Sequence, residues 1–200
     1  MCAGCHQFNF PVLTAKGDLV RYTEQPMQNT FGEFRDSGSK AECIDCHMQK
    51  GSHRFPGAYV PEKVAEALKV ALCRDDAGYQ VSIKNALGAH NLPSGGVNRA
   101  IVLSLHSADN PEGLRQYRME RLYDGPVGAR KKRKDTTLVP GAAATWSIAR
   151  TLLGLGKQND LVLAAHFYFG TDPNPKAPKA KVEIFTKNYR AASVTNCSPE

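Results

Sequence analysis

No stretch of the chain approaches the eighteen or so consecutive apolar residues that a membrane-spanning helix needs, which argues against a helical membrane span. No charged-then-apolar leader opens it either, so any export signal is expected to have been removed or to lie upstream in a longer chain. The basic run Arg130-Lys131-Lys132-Arg133-Lys134 has no aromatic residue interleaved in it. A net charge of +7 and a pI near 9.1 therefore do not amount to a nucleic-acid signature, and the run reads as a solvated loop. Residues 1–60 have little regular periodicity, which in most domains would indicate disorder. Even so, 42% of the 200 residues are hydrophobic, enough for a core of ordinary size in one or two domains.

Cysteine and histidine are scarce, six of each, and their arrangement is correspondingly informative. Cys43-Ile44-Asp45-Cys46-His47 is a C-x-x-C-H pattern, and Cys2-Ala3-Gly4-Cys5-His6 repeats it near the N-terminus. This is the pattern of covalent c-type haem attachment. Two thiols add to the two vinyl groups on one edge of the porphyrin, and one turn of chain brings the next histidine under the ring as an iron ligand. A four-cysteine zinc cage is the competing reading, but it has no need of a histidine directly after both pairs. A thioredoxin-like redox pair is a further alternative. The expected cofactors are two haem c groups, which would account for the weak patterning of residues 1–60, because porphyrins would supply apolar core. Each ferric haem with its propionates adds about −1, leaving the loaded protein near +5, a mild excess suited to steering acidic redox partners.

Within the first part, Phe8, Phe10 and Val12 alternate and are placed to line a haem. Pro26 is expected to open a short helix through Phe34, with Met27, Phe31 and Phe34 on one stripe and Met27 more simply packing than a ligand. Residues 40–50 are expected to be helical. Residues 62–67 hold good helix formers but read as a connector leading into a strand. Alternating segments follow near residues 68–72, 79–86, 100–107, 116–123, 144–150, 161–169 and 182–185, with turn clusters between them. The expected fold is therefore mixed: an irregular, short-helical, haem-wrapped module over residues 1–66, then an all-β antiparallel sandwich of immunoglobulin-like class over residues 67–200. No Cys-Trp-Cys pattern supports immunoglobulin kinship itself. Cys73 and Cys197, outside both motifs, are expected to form a disulfide in an oxidising compartment.

Beyond His6 and His47, two haems need two more axial ligands if each iron is held on both faces. His53 follows His47 by six residues and can barely round the ring edge to the same iron, so it is expected to reach the neighbouring haem. His106 and His166 alternate with apolar residues and are expected to face away from the core. His90 sits in Leu87-Gly88-Ala89-His90-Asn91-Leu92-Pro93-Ser94-Gly95-Gly96, a loop stiffened by proline, and is the other candidate distal ligand.

Both haem motifs, the run Met27-Gln28-Asn29-Thr30 with Glu33, and His53-Arg54-Phe55-Pro56-Gly57 resemble the C-terminal haem pair of bacterial multihaem c-type cytochromes. Ala89-His90-Asn91-Leu92-Pro93-Ser94-Gly95 resembles the Gly-His-x-Leu-Pro-Thr-Gly loop of the β-domain that follows such pairs, with alanine for glycine and serine for threonine. Asp135-Thr136-Thr137-Leu138-Val139-Pro140-Gly141 resembles a later turn of that domain. The resemblance implies electron transfer in the periplasm or outside the cell, with redox proteins or further haem modules of a longer chain as partners. A reductase or peroxidase with one open iron, recruiting Arg54, Asp45 or Glu33, is the enzymatic alternative. A homo-oligomeric subunit of a haem-stacked conducting assembly is the structural one.

Overall fold

The computed structural model describes residues 2–48, 51–52, 57–155, 160–170 and 181–198. Strands dominate. The first motif is a single helical turn, α1 (Ala3–His6), and the chain then enters a hairpin of β1 (Gln7–Leu13) and β2 (Leu19–Asn29). The turn between them closes through Thr14, whose N–H donates to the Asp18 carbonyl and whose carbonyl accepts from Gly17 N–H. Gly17 sits at φ 91°, where a side chain would be strained. Three short helices follow, α2 (Thr30–Asp36), α3 (Cys43–His47) and α4 (Pro61–Ala67).

The remaining strands are β3 (Leu68–Arg74), β4 (Gly78–Asn85), β5 (Ala100–Ser107), β6 (Asn110–Asp124), β7 (Lys131–Asp135), β8 (Ala143–Ala149), β9 (Asp160–Tyr168) and β10 (Lys181–Arg190). They form a five-stranded sheet in the order β10-β9-β5-β6-β7 and a three-stranded sheet in the order β3-β4-β8. All their pairings are antiparallel. Period-two alternation explains the shared core. Ile101, Leu103 and Leu105 of β5 and Leu161, Leu163 and Ala165 of β9 are fully buried with Val81 and Ile83 of β4 and Met119 of β6. Val64 and Ala67 of α4 join the same cluster.

The fold class expected from sequence, a mixed chain with an irregular, short-helical haem-wrapped module ahead of an immunoglobulin-like all-β sandwich, is corrected by this architecture. The chain is mostly antiparallel sheet from Gln7 onward, its longest helices have seven residues, and haem-wrapping helices are not evident among the described residues. The physical reason lies in the first hairpin. Phe8, Phe10 and Val12 alternate because they belong to a strand, but β2 is exposed along much of its length and carries no clean buried face that alternation could reveal. Pro26 accordingly lies in β2 rather than at a helix start, and residues 61–67 are helix rather than connector. The basic run is also not a loop. Lys131, Lys132, Arg133 and Lys134 form most of β7, a fully exposed edge strand paired to β6, and charge on an edge blocks further strand pairing.

The hairpin is fastened to the larger sheet by specific contacts. Phe10, 2% exposed, packs edge-on to Tyr123 at 5.3 Å between centroids, and the Arg130 guanidinium lies 5.6 Å from the Phe10 ring centre. Tyr123 donates its hydroxyl hydrogen to the Pro26 carbonyl at 3.3 Å, and Val97 N–H donates to the Met27 carbonyl at 3.1 Å. Cys73 and Cys197 are joined in a disulfide that closes a span of 124 residues. No helix among the described residues is long and apolar enough to cross a membrane.

Candidate functional site

Each motif is one turn of helix, the local structure its spacing requires. In α1 the Cys2 carbonyl accepts from Cys5 N–H at 3.1 Å and His6 N–H at 3.0 Å, so both cysteines and the histidine share one turn. In α3 a capping box fixes the start: Asp45 accepts from Glu42 N–H at 2.7 Å while the Glu42 side chain accepts in return from Asp45 N–H. Gln7, directly after the first motif, donates to Asn29 at 2.9 Å and accepts from Gly32 N–H at 3.0 Å. The first motif is thereby tied to the opening of α2.

The two motifs open on one cleft. Cys2 and His6 of the first, Cys43, Cys46 and His47 of the second, and His90 from the loop between β4 and β5 all line it. Its walls are largely apolar, with Phe31 and Phe34 from α2, Ala41 and Ala89. The motifs meet at their first cysteines: burial, and then the neighbouring Cys2 thiol, push the Cys43 thiol above its ordinary value. Cys5 is exposed and outside the cleft lining.

His47 and His90 face each other with ring centroids 6.2 Å apart and planes 16° from parallel. His90 Nδ1 lies 3.2 Å from the Asn91 carbonyl; donating to that oxygen leaves the lone pair on Nε2, the tautomer a metal ligand needs. The Gln28 amide lies 3.2 Å from His6 Nδ1 and commits that ring edge to the chain. His53 lies outside the described residues, as does Arg54.

The loop that presents His90 is held from both sides. Asn85 donates to the His90 carbonyl at 3.0 Å and to the Leu138 carbonyl at 2.9 Å, and residues 92 and 138 exchange backbone hydrogen bonds. From α2, Glu33 accepts from Asn91 N–H at 3.2 Å and from the Ser94 hydroxyl at 2.7 Å. The same carboxylate is ion-paired with Arg121 of β6, whose guanidinium also reaches the Gly95 carbonyl at 3.5 Å and Asp135 at 3.5 Å. Glu33 and Arg121 are only 6% and 8% exposed, which makes them a buried pair.

Other residues weighed from sequence lie elsewhere. Phe10 is buried against Tyr123 and does not line the cleft, nor does Met27. His106 contacts the Ser107 carbonyl at 2.9 Å and His166 stands 3.9 Å from Glu183, both on the five-stranded sheet. Among the described residues no three of His, Cys, Asp and Glu gather as a bare metal site would require.

No family model matches the chain, and no curated protein does. Among solved structures it is similar to a penta-heme cytochrome c552 from Thermochromatium tepidum, at 20% identity and a TM-score of 0.68. The likeness covers 94% of this chain and 54% of that one, so the chain spans about half the length of the cytochrome. The fold is therefore that of part of a multihaem c-type cytochrome.

Proposed function

We propose that the chain is an electron-transfer module of a multihaem c-type cytochrome. One haem c is bonded to Cys2 and Cys5 with His6 as ligand, and a second to Cys43 and Cys46 with His47 as ligand. The observation that carries this reading is the convergence of two C-x-x-C-H motifs, 41 residues apart in sequence, on one apolar cleft that His90 enters opposite His47. Two imidazoles bound on opposite sides of one metal, each at about 2 Å, have centroids about 6 Å apart. The His47 to His90 spacing of 6.2 Å fits that arrangement. His53 is the candidate for the far side of the iron under His6.

When bound, the haems supply one-electron redox centres. On this reading His6, His47, His53 and His90 would hold the two irons and leave no coordination site for substrate, while Phe31, Phe34 and alanine side chains would limit water around the groups. Histidine on both faces sets a lower potential than histidine with methionine. Thioether attachment and the Cys73–Cys197 disulfide suit a periplasmic or extracellular setting, with redox proteins or further haem modules as partners.

The test is spectroscopy of protein exported through a haem-attachment pathway. The intact mass should carry two haem increments, both irons should be low-spin, and cyanide, carbon monoxide or nitrite should leave the spectra unchanged. A colourless product with all four motif thiols free would falsify the proposal. A ready spectral shift would instead mean an open iron and favour reductase or peroxidase chemistry.

A further inference from the structure

Resting on the haem reading above, we propose that Glu33 is the positioning residue for the distal ligand His90. Glu33 lies on α2, the helix that forms the cleft wall with Phe31 and Phe34, whereas His90 belongs to a loop between two strands of the β-layers. Something must hold that loop against the wall. One carboxylate does it: an oxygen of Glu33 accepts from Asn91 N–H, adjacent to His90, and from the Ser94 hydroxyl. The other oxygen is paired with Arg121, which in turn reaches the Gly95 carbonyl. With its hydrogen given to Glu33, the Ser94 oxygen accepts from the Thr30 hydroxyl at 3.2 Å, and Thr30 lines the cleft.

These contacts bracket the loop on the C-terminal side of His90, while Asn85 holds the His90 carbonyl from the other side. The imidazole is thus aimed by a loop pinned at the backbone of residues 90, 91 and 95 and at the side chain of Ser94. Gly95, at φ 96°, packs against the Arg99 guanidinium, and an added Cβ would fall 2.8 Å from it, so the pinned conformation is one that glycine alone adopts there without strain. A glutamate is required because both oxygens must accept. Glutamine at this position sets an amide N–H₂ against either the Arg121 guanidinium or the Asn91 N–H, donor against donor whichever way it turns.

The experiment uses haem-loaded protein and compares wild type, Glu33→Gln, Ser94→Ala and Tyr123→Phe. Tyr123→Phe removes the hydroxyl's contact with the Pro26 carbonyl and none of the hydrogen bonds that pin the loop. Glu33→Gln should keep both haems by intact mass, yet one iron should become high-spin and carbon monoxide-reactive. Losing charge-assisted bonds to a pinned loop should raise the reactive fraction about tenfold or more over wild type. Added imidazole should restore the low-spin spectrum. Ser94→Ala should shift the same way by less, and stands as the test should Glu33→Gln not fold, while Tyr123→Phe should match wild type. The positioning role fails if Glu33→Gln folds and keeps the wild-type spectrum and inertness. It also fails if Ser94→Ala shows no shift when Glu33→Gln does not fold, or if Tyr123→Phe opens an iron equally. A wild type that lacks haem, or that binds carbon monoxide at both irons, overturns the ligation reading itself and this role with it.

Discussion

His47 and His90 stand 6.2 Å apart with nearly parallel rings although 43 positions, α4 and two strands of the smaller sheet separate them in the chain. One closes the second motif on a capped helical turn, and the other arrives on a loop of the β-layers. The cleft is therefore completed from the helical segment and from the β-layers together, and on the proposed haem ligation a change in either would be felt at one iron.

Replacing His90 tests that relationship directly. His90→Ala should convert one haem of the pair to a high-spin form that binds carbon monoxide, with the other haem unchanged. His90→Met, if its sulfur ligates, should keep the iron low-spin and raise its potential, since histidine–methionine ligation sits above bis-histidine. Optical redox titration of the two variants beside wild type separates the outcomes, and two unaltered haems in both would remove His90 from the ligand set.

The Glu33–Arg121 pair predicts a non-additive stability pattern. Breaking a buried ion pair from one side strands a charge, so Arg121→Met alone should cost about 3 to 5 kcal/mol. Glu33→Met with Arg121→Met should cost less than the sum of the single changes, because neither charge is left behind. Denaturant unfolding of the full cycle measures the coupling, and simple additivity would contradict a paired arrangement.

The disulfide gives a prediction independent of haem. Closing 124 residues of chain restricts the unfolded state by about 4 to 5 kcal/mol on the loop-entropy view. Cys73→Ala with Cys197→Ala should lower the denaturant midpoint accordingly, and reductant should then have little further effect on stability. Haem spectra should be unaffected.

His166 gives the chain a weak acid sensitivity. Burial, and then the charge of Lys181, hold it below its ordinary value of 6.5, and Glu183 only partly offsets them. The histidine is therefore neutral in the folded protein near pH 7, and the 3.9 Å approach to Glu183 is not a full ion pair there. Because the unfolded chain takes up this proton first, its contribution to stability is full above pH 6.5 and is lost as pH falls through that value toward the lower folded one. His166→Gln should flatten that limb in midpoints measured between about pH 5 and 8. An unchanged slope would assign the limb to another group.

Much of the β-layers was legible in the sequence because large apolar residues alternate with smaller or polar ones, even in β5, which is buried on most of both faces. Residues 100–107 alternate clearly enough that the strand bounds agree with β5, and Ile101, Leu103 and Leu105 face the core as their parity requires. Cys73 and Cys197 were legible as the pair left over from two C-x-x-C-H motifs. The hairpin of β1 and β2 and the edge strand β7 were not, since exposed strands carry no burial signal and a run of lysines looks the same in a loop. At the site, the motifs and the candidacy of His90 came from spacing and loop chemistry. Glu33 drew notice in the run that carries the resemblance and as an acid an open iron could recruit, and nothing in the sequence marked Arg121 as its partner. A charge that is buried because another charge meets it 88 residues later leaves no local pattern.

The remote disulfide also bears on how the molecule is made. Cys73 leaves the site of synthesis soon after Cys46 and long before Cys197, so the motif cysteines are present while the correct partner of Cys73 is still missing. Only docking of the C-terminal segment beside β3, where Cys197 N–H donates to the Arg74 carbonyl, brings the right pair together. Which cysteine Cys73 joins is thereby assigned to topology, and oxidation before that docking would trap chains mispaired with the motif thiols.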